Sequence, residues 1–186
     1  MSNTRSRLLI AVAAIAIAAG GVTSVQANPM VGGAAMSSSK TIIDNAVNSK
    51  DHTTLVAAVK AAGLVDTLEG PGPFTVFAPT NEAFDKLPPG TVQTLVQPEN
   101  KAMLVKILTY HVVRGRLSTG DLKRMVAAGG GTAMLTTVEG EPLTVTEHGM
   151  GRLMLTDAKG GMSMITISNV NQSNGVIHVV DSVLMP

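Results

Sequence analysis

The sequence predicts an α+β fold in one domain, and three observations carry that prediction. Apolar residues recur at helical spacing between residues 41 and 110. An alternating strand pattern interrupts that spacing at residues 74–79. Beyond residue 131 the chain becomes a succession of β-branched, Met- and Leu-rich runs separated by Gly, Asn and Pro. Helices first and strands afterwards is the order of a segregated helix-and-sheet domain. A length of 186 residues is enough for one hydrophobic core of ordinary size.

The first 27 residues stand apart from this pattern. A basic stretch, "MSNTRSR", precedes an unbroken apolar and glycine run, "LLIAVAAIAIAAGGV", and then "TSVQA" with small residues at Val25 and Ala27. That order predicts a secretory signal peptide over residues 1–27, cut after Ala27. The apolar run of 15 residues is short for a membrane span and has no basic stop beyond it, so no transmembrane anchor is expected after cleavage. Residues 28–39, rich in Gly, Ser and Ala, read as a flexible leader, with the domain itself over residues 40–186. The exported chain would carry 12 basic against 13 acidic residues, which gives no electrostatic case for nucleic acid. Cysteine is absent, so neither disulfides nor thiolate metal sites can contribute. The expected location is secreted or periplasmic.

Each element has a local reason. Thr41 with Asp44 three residues on predicts an N-cap ahead of Ile42, Ile43, Ala46 and Val47. A second helix from about His52 carries Leu55, Val56, Val59 and Ala62 on one face and stops at Gly63. In "GPGPFTVFAPT" two Gly-Pro pairs force a turn before a short buried strand ended by Pro79, and Thr80 can cap the helix that follows. Residues 99–110 form the longest predicted helix, with Met103, Leu104, Ile107 and Leu108 on one side. "TAMLTTVEG", "PLTVTEHG", "RLMLTDAKG", "MSMITIS" and "GVIHVVDSVLMP" predict a sequential antiparallel meander.

Catalysis needs a nucleophile, a base and an oxyanion or metal site within mutual reach. The chain has no G-x-S-x-G elbow, H-E-x-x-H, P-loop or G-x-G-x-x-G, and "AAGGGT" at 127–132 leads into strand residues. The protein is therefore expected not to be an enzyme and to need no cofactor. One soft-metal handle exists: His148, Met150, Met154, Met162 and Met164 fall within 17 residues, and imidazole with thioether suits Cu(I). Against it stands the expectation that methionine fills an aromatic-poor core. A second handle is basic. Arg114, Arg116, Lys123 and Arg124 could hold an anionic polysaccharide, although such a cluster on a loop is commonly a solvated face.

Three blocks carry a family resemblance. "FTVFAPTNEAFDKLP" (74–88), "ILTYHVV" (107–113) and "NGVIHVVDSVLMP" (174–186) resemble, in order and separation, the first, tyrosine-histidine and last blocks of fasciclin domains. The resemblance implies a helical layer packed on a β-wedge of about seven mostly antiparallel strands. It implies a structural signature at Phe77, Thr80, Asn81, Phe84, Tyr110, His111, His178 and Asp181, with His111 tying its helix to the first block near Thr80 and Asn81. It also implies a binding module of cell adhesion, whose partner would be a cell-surface or matrix protein or an anionic polysaccharide. The Asp-Ile pair credited with integrin recognition in some animal fasciclin domains is replaced here by Ala102 and Met103. The alternative is a periplasmic stress-response or copper-binding protein that uses the Met/His-rich strands.

Overall fold

The computed structural model describes residues 28–186, so the expected signal peptide lies outside the described residues. The chain opens with a short antiparallel hairpin, β1 (Met30–Val31) and β2 (Ala34–Ala35). Both residues of its turn, Gly32 and Gly33, have positive φ, as a two-residue hairpin turn of this kind requires. Here the structure departs from the expected leader. Val31 and Met36 are 3% and 2% exposed and pack in the same core as Ile42, Ala78, Val170 and Ile177.

That layer comprises α1 (Ile42–Ala46), α2 (Thr53–Ala62) and α3 (Val65–Glu69). After strand β3 (Phe74–Pro79) come α4 (Asn81–Asp85), α5 (Thr91–Leu95) and α6 (Lys101–Tyr110). The caps follow the sequence. Thr41 and Asp44 form a reciprocal capping box on α1, and Gly63 ends α2 in the left-handed region.

A short strand β4 (Val112–Arg114) then leads into α7 (Thr119–Ala128), a helix where the sequence predicts a loop. Ser118 and Asp121 close a second capping box at its start, and it buries only Leu122 and Val126, which is a weak apolar signal. Strands β5 (Thr132–Thr136), β6 (Pro142–His148), β7 (Arg152–Thr156), β8 (Met162–Gln172) and β9 (Gly175–Val180) complete the chain as the expected antiparallel meander.

The seven-stranded sheet has the order β4-β3-β9-β8-β7-β6-β5. All pairs are antiparallel except β3 with β9, second and third in that order, which run parallel. A bridge between Val113 and Thr137 and a bond from the Val138 amide to the Val112 carbonyl (2.7 Å) bring the two ends of the sheet together. The sheet is thus nearly closed.

Parallel strands are usually buried on both faces, and β3 and β9 obey this by separating two cores. Val76, Ala78, Ile177 and Val179 face the first core, with Leu55, Val59, Leu104 and Leu108 of the helical layer. Phe77 and Val180 face the second, with Tyr110, with Leu122 and Val126 of α7, and with the inner residues of β5 to β7. At the parallel pair's start Gly175 permits close backbone approach, since a Cβ there would stand 2.2 Å from the Phe74 carbonyl oxygen.

Candidate functional site

The signature residues lie on and beside the parallel pair β3–β9, and their polar side chains are hydrogen-bonded within the chain. Phe77 and His178 are direct cross-strand partners whose rings stack at 5.7 Å between centroids. His178 is fully buried. Its Nε2 donates to the Leu117 carbonyl (2.8 Å), while Nδ1 accepts from the Asn169 amide (3.3 Å), which fixes a neutral Nε2-protonated ring. Burial pushes its pKa down, against the smaller opposing pull of the Leu117 carbonyl.

His111 has the opposite tautomer. Its Nε2 accepts from the Leu184 amide (3.0 Å), so Nδ1 carries the proton and donates to the Ile107 carbonyl (2.8 Å). Burial holds its pKa down to about 4, the Ile107 carbonyl and the Asp157 charge notwithstanding. The expected partnership with Thr80 and Asn81 is therefore corrected. The His111 side chain ties the end of α6 to the C-terminal segment, and only its backbone carbonyl reaches the first block, accepting from the Phe77 amide (2.9 Å). The reason is direction, because the ring points back along its own helix toward Ile107.

Thr80 and Asn81 serve helix starts instead. The Thr80 hydroxyl caps α4 at the Ala83 amide, while Asn81 accepts from Thr54 N (3.0 Å) and Thr53 Oγ1 and donates to the Lys50 carbonyl. Phe84 fills the first core. Tyr110 is buried with its hydroxyl bridging two segments, donating to the Pro142 carbonyl (2.8 Å) and accepting from the Ala158 amide (3.0 Å). Asp181 accepts from the Met164 amide (2.8 Å) and from Ser182 and Ser163. Burial would raise this carboxyl, but the Met164 amide, the Lys86 charge and the two serines together hold it below the usual range.

The four basic candidates do not form one free patch. Arg114 stands exposed on β4, but Arg116 donates to the Gln172 (2.8 Å) and Ser173 carbonyls and so clamps the β8–β9 turn. Lys123 and Arg124 sit on α7 rather than on a loop, and each has a carboxylate partner: Glu147 for Lys123, Asp121 for Arg124.

The soft-donor candidates divide as well. Met150 is almost wholly exposed in the β6–β7 turn, whereas His148, Met154, Met162 and Met164 lie on neighbouring strands. The expectation that methionine fills the core is corrected, since Met36 is the only methionine in either core among the described residues. Leucine, valine and isoleucine fill that volume instead.

Other buried polar residues have no local sequence signal for their burial, among them Asn174, Asn45, Gln172 and Asp157. Asn174 accepts from the Ile42 amide (3.1 Å) and donates to the Leu68 (2.7 Å) and Gly70 carbonyls, holding the β8–β9 turn against the helical layer. The Asn-Gly pair at 174–175 signals a hairpin but not this inward role. Asn45 bonds Gln172 across the same seam. Asp157 accepts from the Lys159, Gly161 and Met185 amides, closing the β7–β8 turn onto the C-terminal segment.

Among the described residues no helix is long and apolar enough to cross a membrane, and no three His, Asp or Glu side chains gather as a metal-binding group. The fasciclin domain profile matches residues 50–186. Protein sll1483 of Synechocystis sp. is 42% identical over 165 residues, spanning 88% of this chain and 83% of its own. Immunogenic protein MPB70 of Mycobacterium bovis is 38% identical over 76% of this chain and 66% of its own length. Transforming growth factor-beta-induced protein ig-h3 of Sus scrofa is 34% identical over 78% of this chain and 19% of its own. The fold matches that of a FAS1 domain pair from the insect cell adhesion molecule fasciclin I, with a TM-score of 0.70 at 20% identity, over 79% of this chain and 51% of that one. The profile match, the relatives and the wedge built around Phe77, Tyr110, His111 and His178 converge: this chain belongs to the fasciclin domain family.

Proposed function

We propose that this protein is an exported, non-enzymatic binding module of cell-surface or matrix adhesion, acting through protein or anionic polysaccharide contacts. One observation carries the reading. The signature side chains with polar atoms, Thr80, Asn81, Tyr110, His111, His178 and Asp181, are all hydrogen-bonded within the chain, so they build the wedge and leave ligand contact to its surface. The match to a domain pair of an insect cell adhesion molecule supports the same class of role.

The residues we favour for contact are Arg114, exposed on β4, and Lys123 and Arg124 on α7, each of the latter two with one carboxylate partner, Glu147 and the half-buried Asp121. Surface ion pairs of this kind are weak, on the order of 0–1 kcal/mol, so a polyanion can compete for both cations. Arg116 is left out because its guanidinium already serves the β8–β9 turn.

The test is retention of anionic polysaccharides and purified matrix proteins on the immobilised chain across salt concentrations. Retention that falls with salt and is lost in Arg114→Ala/Lys123→Ala/Arg124→Ala supports the reading. A parent protein that retains none of these probes at low salt overturns it.

A further inference from the structure

Strand register gathers soft donors on the outer face of the sheet. Side chains alternate along a strand, so the residues between the buried Ala133, Leu135, Leu143, Val145, Leu153 and Leu155 face outward. On that outer face Met154 of β7 and Met164 of β8 are direct cross-strand partners. Thr146 of β6 is the other neighbour of Met154, and His148 lies two residues further along the same strand, diagonal to Met154. Met162 shares the face, two residues from Met164.

We propose that this face binds one cuprous ion through the thioethers of Met154 and Met164 and the imidazole of His148. Directly opposed residues have Cβ atoms about 4.5–5.5 Å apart and diagonal neighbours about 7–8 Å, distances that two flexible thioethers and an imidazole span to a shared ion. Core packing does not require these methionines: the residues of β7 that face inward are Leu153 and Leu155. The donor set is soft, with two sulfurs and one nitrogen, which selects Cu(I) over Mg(II), Ca(II) or Mn(II). The carboxylate beside Met164, that of Asp181, is already taken by the Met164 amide, Ser163, Ser182 and the Lys86 ammonium, and the chain has no thiolate. Arg152 stands opposite His148, and a nearby cation penalises a divalent ion more than a monovalent one.

The inference is independent of the adhesion reading, because neither Arg114 nor α7 contributes to it. The test is anaerobic titration of the full chain with Cu(I) in competition with bicinchoninate, followed by absorbance and by the methionine methyl resonances. The parent is expected to withdraw one Cu(I) per chain from the chelator, with the Met154 and Met164 methyls shifting. Met154→Leu/Met164→Leu, a volume-conserving change that leaves the melting temperature in place, lowers the affinity on the order of 100-fold. His148→Ala lowers it by about 10-fold or more, and Met150→Leu leaves it unchanged. A parent that takes no copper from the chelator overturns the proposal. So does a double variant that binds as tightly as the parent, or a loss of binding on Met150→Leu.

Discussion

The amide of Leu184 donates to Nε2 of His111 at 3.0 Å, fastening the C-terminal segment to the end of helix α6. With the Nδ1 proton committed to Ile107, the ring satisfies one helix-terminal carbonyl and one buried amide at once. His111→Ala removes both partners and leaves a cavity. The variant is expected to lose about 2–4 kcal/mol, read as a lower midpoint in urea unfolding at pH 7. An unchanged midpoint would show that the contact carries no stability.

The same ring makes stability depend on pH. His111 titrates near 4 in the folded chain and near its ordinary value of about 6.5 when unfolded. Between those values the unfolded chain holds more protons than the folded one, so stability rises with pH there and is fully present above the upper value. Acidification from pH 7 to pH 4 is expected to remove about 3 kcal/mol through this group, with His52 and His178, both depressed chiefly by burial, pulling the same way. Protonation of His111 also forfeits the Leu184 bond, since Nε2 can no longer accept. Urea midpoints that stay flat from pH 7 to pH 4.5 would refute this.

The hydroxyl of Tyr110 joins the start of β6 to the β7–β8 turn, donating to the Pro142 carbonyl of the first and accepting from the Ala158 amide of the second. Tyr110→Phe keeps the ring in the second core but leaves the Pro142 carbonyl and the Ala158 amide without their partner. A loss of about 1–2 kcal/mol is expected, with faster hydrogen exchange at Ala158 as its local signature. Exchange at Ala158 that matches the parent would mean that the hydroxyl does not hold the turn.

Much of this fold is legible in the sequence because its signals are local. Thr41 and Asp44, Gly63, Thr80 and the Gly-Pro turn each specify their element within a few residues, and the structure places each as specified. Helix α7 is less legible because its apolar face is reduced to Leu122 and Val126, although Ser118 and Asp121 spell out its capping box. What no local pattern contains is the partner of a buried polar group. Asn174 meets Ile42 from 132 residues away, and His111 meets Leu184 from 73. The same limit applies to the basic residues. Spacing reveals that Arg116 and Lys123 are near one another in sequence, but not that one is occupied by the β8–β9 turn and the other by Glu147.

The N-terminal hairpin is the sharpest test of where the domain begins. Composition alone makes residues 28–39 a tether, since Gly, Ser and Ala offer little to bury. Met36 and Val31 are the exceptions, and both are packed in the first core, with the Met36 amide bonded to the Pro29 carbonyl (2.9 Å) and the Ser37 amide to Asn45 (3.1 Å). A side chain that plugs a core and is cut back to a methyl group forfeits its transfer free energy and leaves a cavity. Met36→Ala is therefore expected to lower stability by about 2–4 kcal/mol, whereas Met30→Ala, at an exposed position on the same hairpin, changes it by less than about 0.5 kcal/mol. Urea unfolding of the two variants side by side decides the matter. If both match the parent, the hairpin is a passive tether and the domain starts at α1. If only Met36→Ala falls, the hairpin is part of the folded unit.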